Sequence, residues 1–334
     1  MPEQQVQNPD AGFRKAGLSI WEIWDKAGMA VVCVVLFLLC SWWVPGFRSA
    51  PNMVGLSLQV SSIGIVACTM LFCLASGDFD LSVGSVLACS GVLAALVTRQ
   101  TSEAIGATNG VLLGVTAGIL IGALVGLING VIIAFFKINA LITTLATMQI
   151  VRGLALLFAD GKSVFVPNER FSWLGTSSLW GVPMPVVSLI VFFVFFGLLL
   201  SWTTFGRNTL AIGGNKEAAH LAGISVPFYK TVIFTMQGMA AGFAGVILAS
   251  RMEIGDPKVG MMFELQVISA CVLGGVSLTG GIGSMIFVVS GVLIMGMVEN
   301  AMNLQSVPTF WQYVVRGAIL LAAVMLDKFK QSRG

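Results

Sequence analysis

This sequence is short of charge. Only 10% of its 334 residues are Asp, Glu, Lys or Arg, where a soluble domain carries roughly 25%. A water-exposed surface cannot be covered with so few charges. Soluble enzymes, disordered chains and nucleic-acid-binding domains are therefore excluded. The net charge of +3 is too small to call for an anionic partner.

Histidine is nearly absent. His220 stands alone, so no histidine-based metal cluster and no Ser–His pair can form within one chain. Cysteine is present six times, as Cys33, Cys40, Cys68, Cys73, Cys89 and Cys271. All six lie in apolar runs and none forms a C-x-x-C pair, so they read as small buried thiols rather than metal ligands. A phosphate loop is lacking too. Gly161-Lys162-Ser163 comes nearest, but the glycine required five residues earlier is Leu156. No catalytic residue, metal or cofactor is expected on this chain. If ATP drives it, ATP and Mg belong to another subunit.

What is abundant is apolar: 57% of residues, with mean hydropathy +0.93. The bilayer is the solvent that fits. A helix needs about 20 mostly apolar residues to cross ~30 Å of hydrocarbon. The runs place spans at 27–44, 53–75, 82–98, 110–136, 140–158, 184–202, 229–250, 264–278, 284–303 and 311–326. The expected fold is all-α: a polytopic membrane protein of about ten transmembrane or partly re-entrant helices. The third and eighth are flanked by Gly and Ser and could be broken or re-entrant, which a membrane tolerates only inside protein. The expected organisation is an N-terminal tail (1–26), one transmembrane domain (27–326) and a C-terminal tail (327–334), both tails cytoplasmic.

Lys and Arg placement sets the orientation. With the N-terminus inside, ten of the eighteen basic residues fall on inner segments, from Arg14, Lys15 and Lys26 to Lys328, Lys330 and Arg333. An even number of spans returns the basic C-terminus to the same side.

The fourth span carries a periodic stripe: Gly110, Gly114, Gly118, Gly122, Gly126 and Gly130. Glycines let a neighbouring backbone approach closely. Four residues turn a helix ~400°, so the stripe drifts ~40° per step. One straight parallel partner cannot follow it. The stripe predicts either a steep crossing or two successive neighbours.

Charges inside spans are expensive and default to functional candidates. Arg152, Glu264, Glu299 and Arg316 qualify, with Asn139, Thr143, Thr147, Gln149 and Asn300 as polar neighbours. Amides, hydroxyls and a few charges are what a sugar pathway needs to replace water. Structural pairing of Arg152 or Arg316 with Glu264 or Glu299 is the alternative. Asp78 and Asp80 lie between the second and third spans. Asp80 suits an N-cap for a helix starting at Leu81; an ion or proton site is the sharper reading.

The longest inner loop, 203–228, contains a helix-forming stretch at 216–222. Asn215 can cap it, Glu217 faces its positive end, and Gly223 suits the stop. Ala218, Leu221 and Ala222 would then present a knob for a partner's groove. A plain connector is the other reading.

At this loop the chain resembles the permease subunits of bacterial ABC sugar importers, in the ribose, xylose and arabinose branch. Gly213-Gly214-Asn215, Glu217-Ala218-Ala219 and Leu221-Ala222-Gly223 match that family's coupling loop. Gly77-Asp78-Phe79-Asp80-Leu81-Ser82-Val83-Gly84-Ser85 resembles its Gly-Gly-Ile-Asp-Leu-Ser-Val-Gly-Ser signature, departing at Asp78 and Phe79. Leu141 to Met148, Arg152 to Leu154 and Ile268 to Ser284 match further blocks, and the likeness covers roughly residues 20–330. It implies a non-enzymatic permease in the bacterial inner membrane, carrying a pentose, L-arabinose, with another monosaccharide (ribose, xylose or galactose) as the alternative. The implied partners are a second copy of the chain, a cytoplasmic ATP-binding subunit (tandem in this branch), a periplasmic sugar-binding protein and membrane lipid. An ATP-independent secondary transporter is the competing reading.

Overall fold

The computed structural model describes residues 20–331. Three helices open the chain: α1 (Ile20–Trp43), α2 (Ala50–Ala75) and α3 (Val83–Ile105). Next come α4 (Ala107–Phe135), α5 (Ala140–Phe158), β1 (Val164–Phe165), α6 (Glu169–Thr176) and the hairpin β2 (Ser178–Leu179) and β3 (Val182–Pro183). The middle runs through α7 (Met184–Trp202), α8 (Thr204–Gly214), α9 (Lys216–Leu221) and α10 (Val226–Met252). It closes with β4 (Ile254–Gly255), α11 (Phe263–Leu273), α12 (Met285–Leu304) and α13 (Thr309–Gln331). β4 pairs antiparallel with β1, Val164 opposite Gly255.

Among the described residues, seven helices are long and apolar enough to cross a membrane: α2, α3, α4, α5, α7, α10 and α12. Shorter apolar stretches lie at Gly28–Trp43, Phe263–Leu273 and Thr309–Met325. α2 is the axis of the bundle, buried without interruption from Val60 to Ala75. α4 and α7 lie outside it and expose Leu112, Leu120, Leu124, Val191, Val194 and Phe195. That apolar exterior suits lipid, not water. Trp42, Trp43 and Trp202 stand exposed at helix ends, as aromatic side chains do at a membrane–water interface.

Three expectations change. The eighth span stops at Leu273 instead of 278. Gly275 adopts φ +76°, its N–H bonds Val272 O and that of Val276 bonds Cys271 O, which closes the helix in a Schellman turn. At 1.5 Å per residue, eleven residues cover about 16 Å, half the hydrocarbon. The third span is the reverse case: α3 is continuous for 23 residues, and the break precedes it, over 76–82. The segment 204–214 is helical as α8, where the sequence predicts a loop, and is capped by Thr203 Oγ1 accepting from Gly206 N at 3.3 Å. Of the expected tails, residues 20–26 are helical in α1 and residues 327–331 in α13. The remainder of the expected tails, 1–19 and 332–334, lies outside the described residues.

Candidate functional site

The helices bring the polar residues singled out above into three separate groups. The first lies where α2, α10, α11 and α12 meet. A cavity of about 430 Å³ is lined there by Gln59, Ser62, Arg251, Phe263, Gln266, Glu299 and Asn300, with Gly55, Ile63 and Leu248. Glu299 forms an ion pair with Arg316, both side chains largely buried, and Gln266 Nε2 donates to Glu299 Oε1 at 3.2 Å. Asn300 and Asn52 exchange amide bonds of 2.9 Å in both directions. A charge held in low dielectric needs such partners to stay ionised. Arg316 of α13 thus holds Glu299 at the edge of this cavity.

The second group follows α5. Asn139 caps that helix, its Oδ1 accepting from Leu141 N at 2.9 Å. Thr143 bonds back to Asn139 O at 3.0 Å. Gln149 is exposed. Thr147 donates to Asn129 Oδ1 at 2.7 Å, and Asn129 Nδ2 reaches Ser82 Oγ at 3.1 Å. Arg152 does not pair directly with either glutamate. It donates to the carbonyls of Pro257 and Val259 at 2.6 and 2.7 Å. Glu264 lies in the first turn of α11, and its carboxylate lies against Gly84, where a Cβ would sit 2.7 Å from Oε2. Of the pairings the sequence allowed for the four intramembrane charges, Arg316 with Glu299 is the salt bridge that forms among the described residues.

The third group is at the opposite ends of the helices. Asp78 forms a buried ion pair with Lys230 of α10. Asp80 accepts from Ser82 N at 2.9 Å and Ser82 Oγ at 2.6 Å. It therefore holds a turn two residues before the helix, and the N-cap position falls to Ser82, not Asp80. In this connection outside both helices, burial pushes the Asp80 carboxyl up to about 6, while its Ser82 bonds pull it down. Nearby, α9 is capped by Asn215 Oδ1 accepting from Ala218 N at 2.9 Å. Glu217 lies in its first turn, and Gly223, at φ +84°, closes it. Ala219 is buried against Ile212 and Val226, whereas Ala218, Leu221 and Ala222 are exposed. Gly213 is wedged into the bundle: a Cβ would lie 1.8 Å from Ala75 O and 2.5 Å from Gly281 N. Gly281 N itself donates to Ala75 O at 2.9 Å. Gly214 is open on its Cβ side.

The glycine stripe of α4 meets two helices in turn. Cβ atoms at Gly110 and Gly114 would enter α3, 2.6 Å from Ser102 Oγ and 2.2 Å from Thr98 Oγ1. At Gly118 they would meet both α10 and α3, at Val246 and Ser90. At Gly122 and Gly126 they would strike α10 backbone, 2.4 Å from Gly238 O and 2.2 Å from Phe234 O.

Gln59, Ser62, Arg251, Asn52 and Asn129 do not stand out in the sequence. Asn129 carries a usable signal, as the one side-chain amide in the long apolar body of α4. The others look like ordinary polar positions until α2 is set against α10, α11 and α12.

The family model described as branched-chain amino acid transport system / permease component matches residues 52–324. The L-arabinose transport system permease protein AraH of Escherichia coli (strain K12) is 56% identical over 98% of this chain and 97% of its own length. The L-arabinose ABC transporter permease protein AraH of Azospirillum brasilense is 49% identical over 99% and 96%. The ribose import permease protein RbsC of Bacillus subtilis (strain 168) is 38% identical over 93% and 95%. No solved structure matches the chain.

Proposed function

The chain belongs to the family described as branched-chain amino acid transport system / permease component, and on that premise we propose that it is the membrane subunit of an ATP-driven L-arabinose importer. The observation that carries the cargo is the 56% identity, over nearly the whole of both chains, to an L-arabinose permease. The chain is a multi-pass membrane protein and not an enzyme. Its place is the bacterial inner membrane, and ATP with Mg is handled by an ATPase subunit.

In this reading two copies form the pathway, the ATPase is a tandem polypeptide on the cytoplasmic side, and a periplasmic binding protein delivers the sugar. α9 is the part that touches the ATPase. Its exposed Ala218, Leu221 and Ala222 offer a small apolar knob, and its buried Ala219 ties it to α8 and α10. Closure of the ATPase would push α9, and α8 would carry the push to Ala75 and Gly281 through Gly213. Alternating access needs such a link between a chemical step and a two-state bundle.

The test is uptake of labelled L-arabinose into vesicles holding this chain and its ATPase, with the binding protein added. Uptake should require ATP and binding protein together. Uptake without either would overturn the reading in favour of a secondary transporter. ATP-dependent uptake of ribose or xylose in place of L-arabinose would overturn the cargo alone.

A further inference from the structure

We propose that Thr147, Asn129, Ser82 and Asp80 act as one charge-ended latch that holds α5 against α3 and α4, and that acid on the cytoplasmic side slackens it. The four side chains form a continuous run of hydrogen bonds in which every donor points the same way. Thr147 Oγ1 donates to Asn129 Oδ1 at 2.7 Å. Asn129 Nδ2 donates to Ser82 Oγ at 3.1 Å. Ser82 Oγ donates to Asp80 Oδ1 at 2.6 Å, and Ser82 N adds a second bond at 2.9 Å. Such alignment lets each bond polarise the next, and an ionised last acceptor roughly doubles the strength of the bonds made to it. Asn129, Ser82 and Asp80 are at most 1% exposed, so water does not compete for them.

α5 depends on this run. Leu145, Ile150 and Leu157 of that helix face outward, and nothing lies within 4 Å of a Cβ built at Gly153. Besides Thr147, the side-chain hydrogen bonds from α5 to other elements among the described residues are those of Arg152 to the carbonyls of Pro257 and Val259. At the other end, Asp80 has no cation. Lys230 of α10 is engaged by Asp78, and no salt bridge reaches Asp80 among the described residues. The further titratable groups around it are Asp78 on its own connection, Cys73 of α2 and, across Gly84, Glu264 of α11. α4 and α5 offer the uncharged Asn129 and Thr147. A carboxylate buried without a cation leans on its donors. Burial raises the Asp80 carboxyl to about 6, against the lowering pull of the Ser82 bonds. It is therefore ionised at neutral pH, and the latch is tight. Once protonated, Asp80 no longer draws on Ser82 as a charge does, and the run loses its strong end. Gly77, in the same connection, is exposed and gives protons an entrance from the side that carries α9. In the importer, a slack α5 lowers the sugar carried per ATP when the cytoplasm turns acid, a consequence that rests on the reading above.

The complete importer in lipid nanodiscs provides the test, with neither turnover nor cargo needed. Leu113→Cys of α4 and Leu157→Cys of α5, both exposed positions, carry spin labels in a Cys33→Ala background, since the other five native thiols are buried. Pulsed electron resonance follows the distance between the labels as the pH is lowered from neutral. One narrow distance is expected at neutral pH and a second population in acid, half grown at about pH 6. One unit below that midpoint about nine-tenths of Asp80 is neutral. Asp80→Asn, uncharged at every pH, should show the second population throughout. Thr147→Val cuts the run at its α5 end and leaves the buried turn intact. It should behave in the same way, and it decides the matter if Asp80→Asn does not fold. A distance that ignores pH, a pH response retained in Asp80→Asn, or a Thr147→Val protein indistinguishable from the unaltered one overturns the proposal. Labelled L-arabinose taken up per ATP hydrolysed is the second readout. It should fall several-fold in acid and lie low at both pH values in Thr147→Val; a constant ratio overturns the effect on transport. If the unaltered importer takes up no L-arabinose at neutral pH, the importer reading fails and the distance test still decides the latch.

Discussion

Asp78, in the connection after α2, and Lys230, in α10, form an ion pair with both side chains close to nine-tenths buried. Breaking such a pair by removing one partner strands a charge in low dielectric, at a cost of about 3–5 kcal/mol, whereas replacing both is often tolerated. Lys230→Met alone should therefore lower the thermal midpoint of the purified protein sharply. Adding Asp78→Asn should restore most of the loss. Fluorescence-detected gel filtration after heating measures both, and a double variant no better than Lys230→Met would refute the pairing argument.

The α4 stripe predicts a graded response to one methyl group. At Gly126 a Cβ would meet Phe234 O at 2.2 Å, while at Gly153 it would meet nothing within 4 Å. Gly126→Ala must push α4 and α10 backbones apart, an overpacking worth about 1–3 kcal/mol. Gly153→Ala should be neutral or slightly stabilising. The same heating assay decides, and equal midpoints for the two variants would argue against direct backbone contact at Gly126.

Leu221 is 87% exposed on α9, so its replacement cannot disturb the core. Leu221→Glu should leave the chain inserted and stable but reduce co-purification of the ATPase and ATP-driven uptake together. Undiminished co-purification would remove α9 from the ATPase contact.

Gly213 gives the complementary case. Its Cβ would overlap Ala75 O at 1.8 Å, at the junction of α8 with the end of α2. Gly213→Ala should keep the ATPase bound yet uncouple it, with hydrolysis continuing and uptake falling. Gly214→Ala, open on its Cβ side, should transport normally. Coupled transport in Gly213→Ala would break the proposed line from α9 to the bundle.

Span positions are legible because hydrocarbon demands long apolar runs, and α2, α4, α7, α10 and α12 are that. The early stop of α11 is written as Gly274-Gly275, but the apolar run continues through Val276 and hides it. α8 is hidden for the opposite reason. Gly206, Asn208, Gly213 and Gly214 disfavour an isolated helix, and burial of Gly206, Thr209 and Ile212 against neighbours overrides that preference. In the candidate site, Glu299 and Arg316 stand out as charges in apolar helices. Arg152 also stands out, but its partners are main-chain carbonyls of Pro257 and Val259, which no side-chain pattern records. Gln59 and Ser62 are hidden because facing a cavity depends on which helices surround α2.

Glycine contacts along α4 leave its backbone touching α3 at one end and α10 at the other. With only small side chains such as Ser102, Thr98 and Val246 set against the stripe, these helices have few rotamers to rearrange and little room to slide over one another. During a transport cycle α3, α4 and α10 must turn as one solid plate. The hinge motion then falls to the elements set against that plate: α2, α11 and α12, the walls of the cavity, whose mouth would widen and narrow as the plate swings.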